Sequence, residues 1–98
     1  MKLSIRKARL LQRNGDIKGM ARLSKTVSNR FEKAEILSMM AAEIAYQQRN
    51  PRHALTTLKL AFRLSTDNYQ ALCRRKIQEQ GIKELLQGEE PLTQLYGD

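Results

Sequence analysis

Residues 34–46 read AEILSMMAAEIAY. Set out at the roughly 100° steps of an α-helix, Ala34, Ile36, Leu37, Met39, Met40, Ala41, Ile44, Ala45 and Tyr46 cover most of its circumference. A helix that is apolar on nearly every side has to be covered from several directions. This stretch therefore predicts the centre of an all-α fold with other helices arranged around it. The flanks agree: helix formers dominate, Gly and Pro are rare, β-branched residues are scattered, and no strand is predicted.

Punctuation residues divide the rest of the chain. In Asn14-Gly15-Asp16, Gly accepts the left-handed stop of one helix and Asp caps the next. Asn50-Pro51 places Pro in a first turn, Asn29 with Glu32 approximates a capping box, and Thr66-Asp67-Asn68 gives a further start. These signals predict helices over 2–13, 16–28, 31–49, 51–64 and 68–80, and a short sixth over 82–87 before Pro91. In the second helix Ile17, Met20, Leu23 and Val27, followed by Phe31, form the inner side. The fourth turns Ala54, Leu55, Leu58, Ala61 and Phe62 inward and Arg52, Lys59 and Arg63 outward, and the fifth covers the core with Tyr69, Leu72, Cys73 and Ile77. The expectation is one domain over 1–88, made of a basic hairpin (1–30), a second hairpin (31–66) and capping helices (67–88), followed by a flexible tail (89–98).

Charge is distributed unequally. Residues 1–30 hold nine Lys and Arg against Asp16 alone, a net +8, whereas residues 31–98 hold nine of each sign. Lys2, Arg6, Arg9 and Arg13 stack along one face of the first helix opposite Leu11, and Lys18, Arg22 and Lys25 along the outer face of the second. Like charges at i,i+4 cost a few tenths of a kcal/mol each in an isolated helix. Repulsion left uncompensated predicts a use, which is to bind something acidic: protein, nucleic acid or anionic membrane.

Other chemistries find no residues to carry them. The sequence has no Gly-rich phosphate loop, nucleophile elbow or paired carboxylates in a recognisable setting, so a non-enzyme without cofactor or small-molecule substrate is expected. The single Cys73 and single His53 offer neither an internal disulfide nor a metal ligand set. Cys73 is expected as an inert buried thiol, His53 as a surface or capping residue, and Met20, Met39 and Met40 as core filler. No apolar run approaches the ~18 residues of a membrane span, so a cytoplasmic protein of bacterial or phage type is expected.

Shifted by 34 residues, the chain pairs Leu3 with Leu37, Ser4 with Ser38, Ala8 with Ala42, Leu10 with Ile44, Met20 with Ala54, Lys25 with Lys59 and Val27 with Ala61. On these pairs, and on the Asn14-Gly15-Asp16 turn with Ala42, Ala54, Leu58 and Ala61, residues 1–66 resemble two tetratricopeptide repeats and 67–87 a terminal capping helix. Ser4 and Ser38 depart from that pattern's large aromatic, Met20 from its Ala and Thr66 from its Pro. The resemblance implies antiparallel helical hairpins whose first helices line a concave groove, with Lys2, Arg9 and Arg13 beside Met39, Glu43, Tyr46 and Gln47. It also implies an adaptor or chaperone, like the co-chaperones of bacterial secretion systems, whose guest is an acidic, partly helical or extended peptide. The expected partner-binding set is Lys2, Arg6, Arg9, Arg13, Lys18, Arg22, Lys25, Met39, Glu43 and Tyr46.

A second likeness competes. The run from Ala42 through Arg52-His53-Ala54 to Arg74-Arg75 is similar to the small enterobacterial activators of the plasmid-encoded regulator class, without their Trp. It implies a transcriptional regulator that binds nucleic acid, with Arg74-Arg75-Lys76 as a second cationic cluster. A membrane-surface role ranks third, because the basic helices have modest apolar faces and lack Trp.

Overall fold

Four Asp or Asn side chains start four of the five helices found among residues 2–88, the part of the chain described by the computed structural model. The helices are α1 (Leu3–Arg13), α2 (Ile17–Thr26), α3 (Arg30–Tyr46), α4 (Pro51–Arg63) and α5 (Tyr69–Leu86). Asp16 accepts from the Gly19 amide at 2.8 Å, Asn29 from Glu32 at 3.0 Å, Asn50 from His53 at 3.1 Å and Asn68 from Ala71 at 2.8 Å. Such a cap is worth about 1 kcal/mol. The fold is all-α, and no strand occurs among the described residues.

Helix ends follow the same local chemistry. Gly15 takes φ 67°, its amide bonds to the Gln12 carbonyl at 3.0 Å, and the Asp16 amide bonds to Leu11 at 2.8 Å. That pair of bonds is the Schellman closure of α1. Thirty-four residues on, Arg49 sits at φ 49° and Asn50 caps α4, so the backbone stop and side-chain start recur at the period of the sequence repeat. Ala8, Ala42, Met20 and Ala54, two of the repeat pairs, are all fully buried.

Three boundaries differ from expectation. α2 ends at Thr26 because Val27 turns to extended backbone, and α3 ends at Tyr46, three residues before the left-handed Arg49. α5 runs unbroken through Gly81, so the expected stop at residue 80 and separate sixth helix merge into one. Gly81 is buried inside the helix, and the stop falls to Gly88 at φ 80°, whose amide bonds to Leu85 at 3.0 Å. The expected tail, 89–98, lies outside the described residues.

As predicted, α3 is the centre: it touches α1, α2, α4 and α5. On one side Ile36 packs with Ala8 of α1 and Met20 of α2, supported by partly buried Ile5, Leu11, Leu23, Val27, Met39 and Met40. On the other, Ala34, Ala41, Ile44 and Ala45 meet Ala54, Leu58 and Ala61 of α4 and Ile82 of α5. Ile17 contacts both groups. Alanine at these contacts lets helix backbones approach closely, and nothing larger fits without displacement.

The inner face of α5 corrects the sequence reading. Tyr69 is 81% exposed and Ile77 46%, while Leu72 and Cys73 are only half-buried. The side turned inward carries Ala71, Arg75, Gln78, Gly81 and Ile82. Polar groups are tolerated there because α3 answers them: the Ser38 hydroxyl donates to Gln78 Oε1 at 2.7 Å, and Gln78 Nε2 donates to the Ser38 carbonyl at 2.7 Å.

Gly15→Ala places a Cβ at positive φ and against the Gln47 amide group. It is expected to cost about 1–2 kcal/mol, while Arg49→Gly, which relieves the equivalent position, is expected to stabilise by up to ~1 kcal/mol. Urea denaturation of the two variants checks both signs.

Candidate interaction surface

α1 begins without help. Lys2 occupies its N-cap position, its side chain makes no capping bond, and the first turn holds no acid. A cation at this end opposes the partial positive charge of the helix N-terminus. Ala8 anchors the helix on α2 and α3, which turns Arg6, Lys7, Arg9 and Arg13 to solvent, all of them exposed together with Lys2. On α2, Met20 is the buried anchor and Lys18, Arg22 and Lys25 are exposed.

No basic residue of α1 or α2 takes part in the ion pairs seen among the described residues. Those pairs join Glu35 to Arg74 and Arg75, and Glu79 to Lys83. The ninth base of the N-terminal segment is used differently: Arg30 donates through Nε to the Leu64 carbonyl and through Nη2 to that of Arg63, both at 3.3 Å. It caps the C-terminal end of α4, where a cation is favoured.

Two features of this surface escaped sequence reading. Leu3 is 67% exposed and Leu10 58%, lying beside the arginine stripe on the open side of α1. In the repeat alignment they match Leu37 and Ile44, which are half-buried and buried. The difference is positional, since α3 is covered by four helices and, among the described helices, α1 contacts only α2 and α3. The i,i+7 spacing of two leucines with no apolar partner at i+3 or i+4 in between was the available signal.

The remaining expected residues are distributed unevenly. Met39 packs into the core between α1, α2 and α3, Glu43 is buried, and Tyr46 is half exposed at the end of α3. Gln47 lies against the Gly15 turn. Cys73, expected buried, is half-buried on the outer side of α5, and the His53 side chain is exposed. No group of three or more metal-ligating side chains occurs among the described residues. No helix there is long and apolar enough to cross a membrane.

A cleft of about 610 Å³ opens between the N-terminal ends of α1 and α3 and the part of α5 that carries Arg74. Lys2 and Ile5 come from α1, Asn29, Phe31, Glu32 and Glu35 from the start of α3, and Arg74 from α5. The charges around it are tied down in part. Glu32 accepts from the Ser4 hydroxyl at 2.6 Å, linking α3 to α1. Glu35 Oε1 accepts from Arg74 Nη2 at 2.9 Å and Arg75 Nη2 at 3.0 Å. Arg74-Arg75-Lys76 is therefore not one exposed cationic cluster, because Arg75 is 2% exposed and committed to Glu35. Burial pushes the Arg75 guanidinium below its ordinary range, Glu35 opposes that shift, and neighbouring Arg74 adds to it. Its Nε and Nη1 find no hydrogen-bond partner among the described residues.

Comparison with protein-family models, with curated proteins and with solved structures finds no match.

Removing Glu35 strands Arg75 in the interior without a counter-charge. Glu35→Ala is expected to destabilise by about 2–3 kcal/mol, while Arg74→Ala, at a partly exposed position, costs under ~1 kcal/mol. In a double-mutant cycle followed by urea denaturation, Glu35→Ala combined with Arg75→Met loses less than Glu35→Ala alone.

Proposed function

We propose that the chain is a non-enzymatic adaptor or chaperone of tetratricopeptide-like build that captures an acidic protein or peptide on the basic surface of α1 and α2. One observation carries this reading: Lys2, Arg6, Arg9, Arg13, Lys18, Arg22 and Lys25 are all exposed and stand outside the ion pairs formed among the described residues. Concentrated charge of one sign raises the local concentration of an oppositely charged partner and speeds its association.

The exposed Leu3 and Leu10 add specificity to that attraction. A partner that satisfies both leucines and flanking cations is an amphipathic segment with apolar residues on one face and carboxylates at its edges. Phosphate alone leaves the leucines in water. The repetition of the Gly15–Asp16 turn at Arg49–Asn50, and the buried Ala8 and Ala42 one period apart, support the tetratricopeptide-like build. Nucleic acid is less well served, because Arg75, one of the residues that carried that likeness, is withdrawn into the interior.

Titration with a fluorescent peptide bearing Glu and Leu at i,i+4 spacing, beside a duplex DNA, separates the two partners. The peptide is expected to bind with modest salt dependence. A duplex held by about six phosphate contacts instead gives a log–log slope near −5 against monovalent salt. Arg9→Glu with Arg13→Glu is expected to weaken peptide capture about tenfold, equivalent to ~1.4 kcal/mol. Tight, selective duplex binding at physiological salt, with no capture of the peptide, would overturn the adaptor reading.

A further inference from the structure

We infer that the outward faces of α2 and α4 together form a second interaction surface, which takes the phosphodiester backbone of a nucleic-acid duplex without reading its sequence. This goes beyond the peptide reading, in which α4 has no part.

The charges on these two helices repeat with the fold. Counted from the first residue of each helix, Lys18, Arg22 and Lys25 of α2 and Arg52, Lys59 and Arg63 of α4 fall within the same arc, from about 80° to about 140°. All six are exposed. Lys18 matches Arg52, and Lys25 matches Lys59, in the repeat alignment. The buried sides agree as well: Met20 and Ala54, also matched, both face the core around α3. Ile17 of α2 packs against the group that holds Ala54, and Gln47, shortly before α4, lies against the Gly15 turn that precedes α2. Equivalent packing on one support turns both stripes the same way.

Neither helix holds an acid to offset them. The glutamates of the described helices lie on α3 and α5. Asp16 is used as the cap of α2, and Asp67 stands beyond the end of α4. None of the six bases joins the ion pairs seen among the described residues. Charge of one sign therefore accumulates across both helices.

What the face lacks selects its occupant. Protein interfaces bury an apolar centre from which charge is depleted, yet α2 exposes no large apolar side chain and α4 exposes only Leu60, outside the charged arc. Phe62, the one aromatic residue of the two helices, is half-buried. The bases of a single strand thus find no platform to stack on, and a membrane finds no aromatic anchor. Duplex phosphates ask for cations and hydroxyls alone, and exposed Thr56 supplies a hydroxyl where α4 lacks the counterpart of Arg22. From Arg52 to Arg63 the stripe covers about 17 Å of helix, a length over which a duplex presents about ten phosphate charges.

Anisotropy titration of the full chain with fluorescent random-sequence duplexes, one DNA and one RNA, tests this. Six contacts are expected to give a log–log salt slope of about −5, and the duplex held more tightly identifies the nucleic acid. Arg52→Gln with Lys59→Gln and Arg63→Gln is expected to reduce the slope to about −2.7 and to leave peptide capture unchanged. Lys33→Gln with Lys76→Gln and Lys83→Gln removes the same charge from α3 and α5 and is expected to leave the slope as it was. Equal losses in the two triple variants would overturn the site, because diffuse charge then accounts for the binding. Tighter binding of an oligothymidine than of either duplex, or capture of phosphatidylserine vesicles in place of both, would overturn the duplex as occupant. Peptide and duplex are titrated separately, and the α4 bases serve the duplex alone, so failure of one reading leaves the other standing.

Discussion

Everything in this molecule is arranged by the need to bury α3. Ile36 and Ile44 point to different sides of the same helix, and each requires its own cover: α1 and α2 for one, α4 and α5 for the other. Small residues make this possible. Ala8, Ala41, Ala42, Ala54 and Ala61 are all fully buried, and their short side chains let four helices approach one closely. With the core built this way, α1 and α2 are held on a single support with their charged sides free. The basic surface is a consequence of how the apolar side is satisfied.

The two halves of the cover are built differently. α1 and α2 dock chiefly through apolar side chains, with one bond from Ser4 to Glu32, whereas α5 adds to Ile82 the polar pairs Glu35 with Arg75 and Ser38 with Gln78. A buried charge with two unsatisfied donors is costly in a low-dielectric interior, and paired polar groups fix orientation more strictly than apolar contact does. This seam fixes which side of α5 faces inward and leaves Tyr69 and Ile77 outside. It also withdraws one arginine from the surface and places Arg74 at the edge of a cleft that the α1 end shares.

Electrostatics links fold to function through what is left unpaired. Cations at i,i+4 on α1, next to an N-terminus with neither cap nor acid, make that helix less stable than its tertiary contacts alone would allow. In the proposed function, an acidic guest would relieve that repulsion and supply carboxylates where the helix lacks them. Leu3 and Leu10 give the same surface an apolar component beside its charge.

The amino-acid sequence alone determined the features that depend on neighbours within about four residues. Asp16, Asn29, Asn50 and Asn68 bond to amides three residues on, Gly15 takes the left-handed turn, and the Arg and Lys stripes follow from helical spacing. The apolar circumference of residues 34–46 likewise placed α3 at the centre. Tertiary structure decided what depends on partners far along the chain. α5 carries apolar and polar residues on both sides, so periodicity cannot say which is inner; Ser38 and Glu35, about forty residues away, do. Arg30 is one of nine bases in residues 1–30, and only the end of α4 beside it supplies the two carbonyls it binds. Leu3 and Leu10 align with Leu37 and Ile44 one repeat on, yet they stand exposed because the described helices cover only part of the circumference of α1. A side chain's type sets what it can bond to nearby, but its burial is settled by which distant element arrives to cover it.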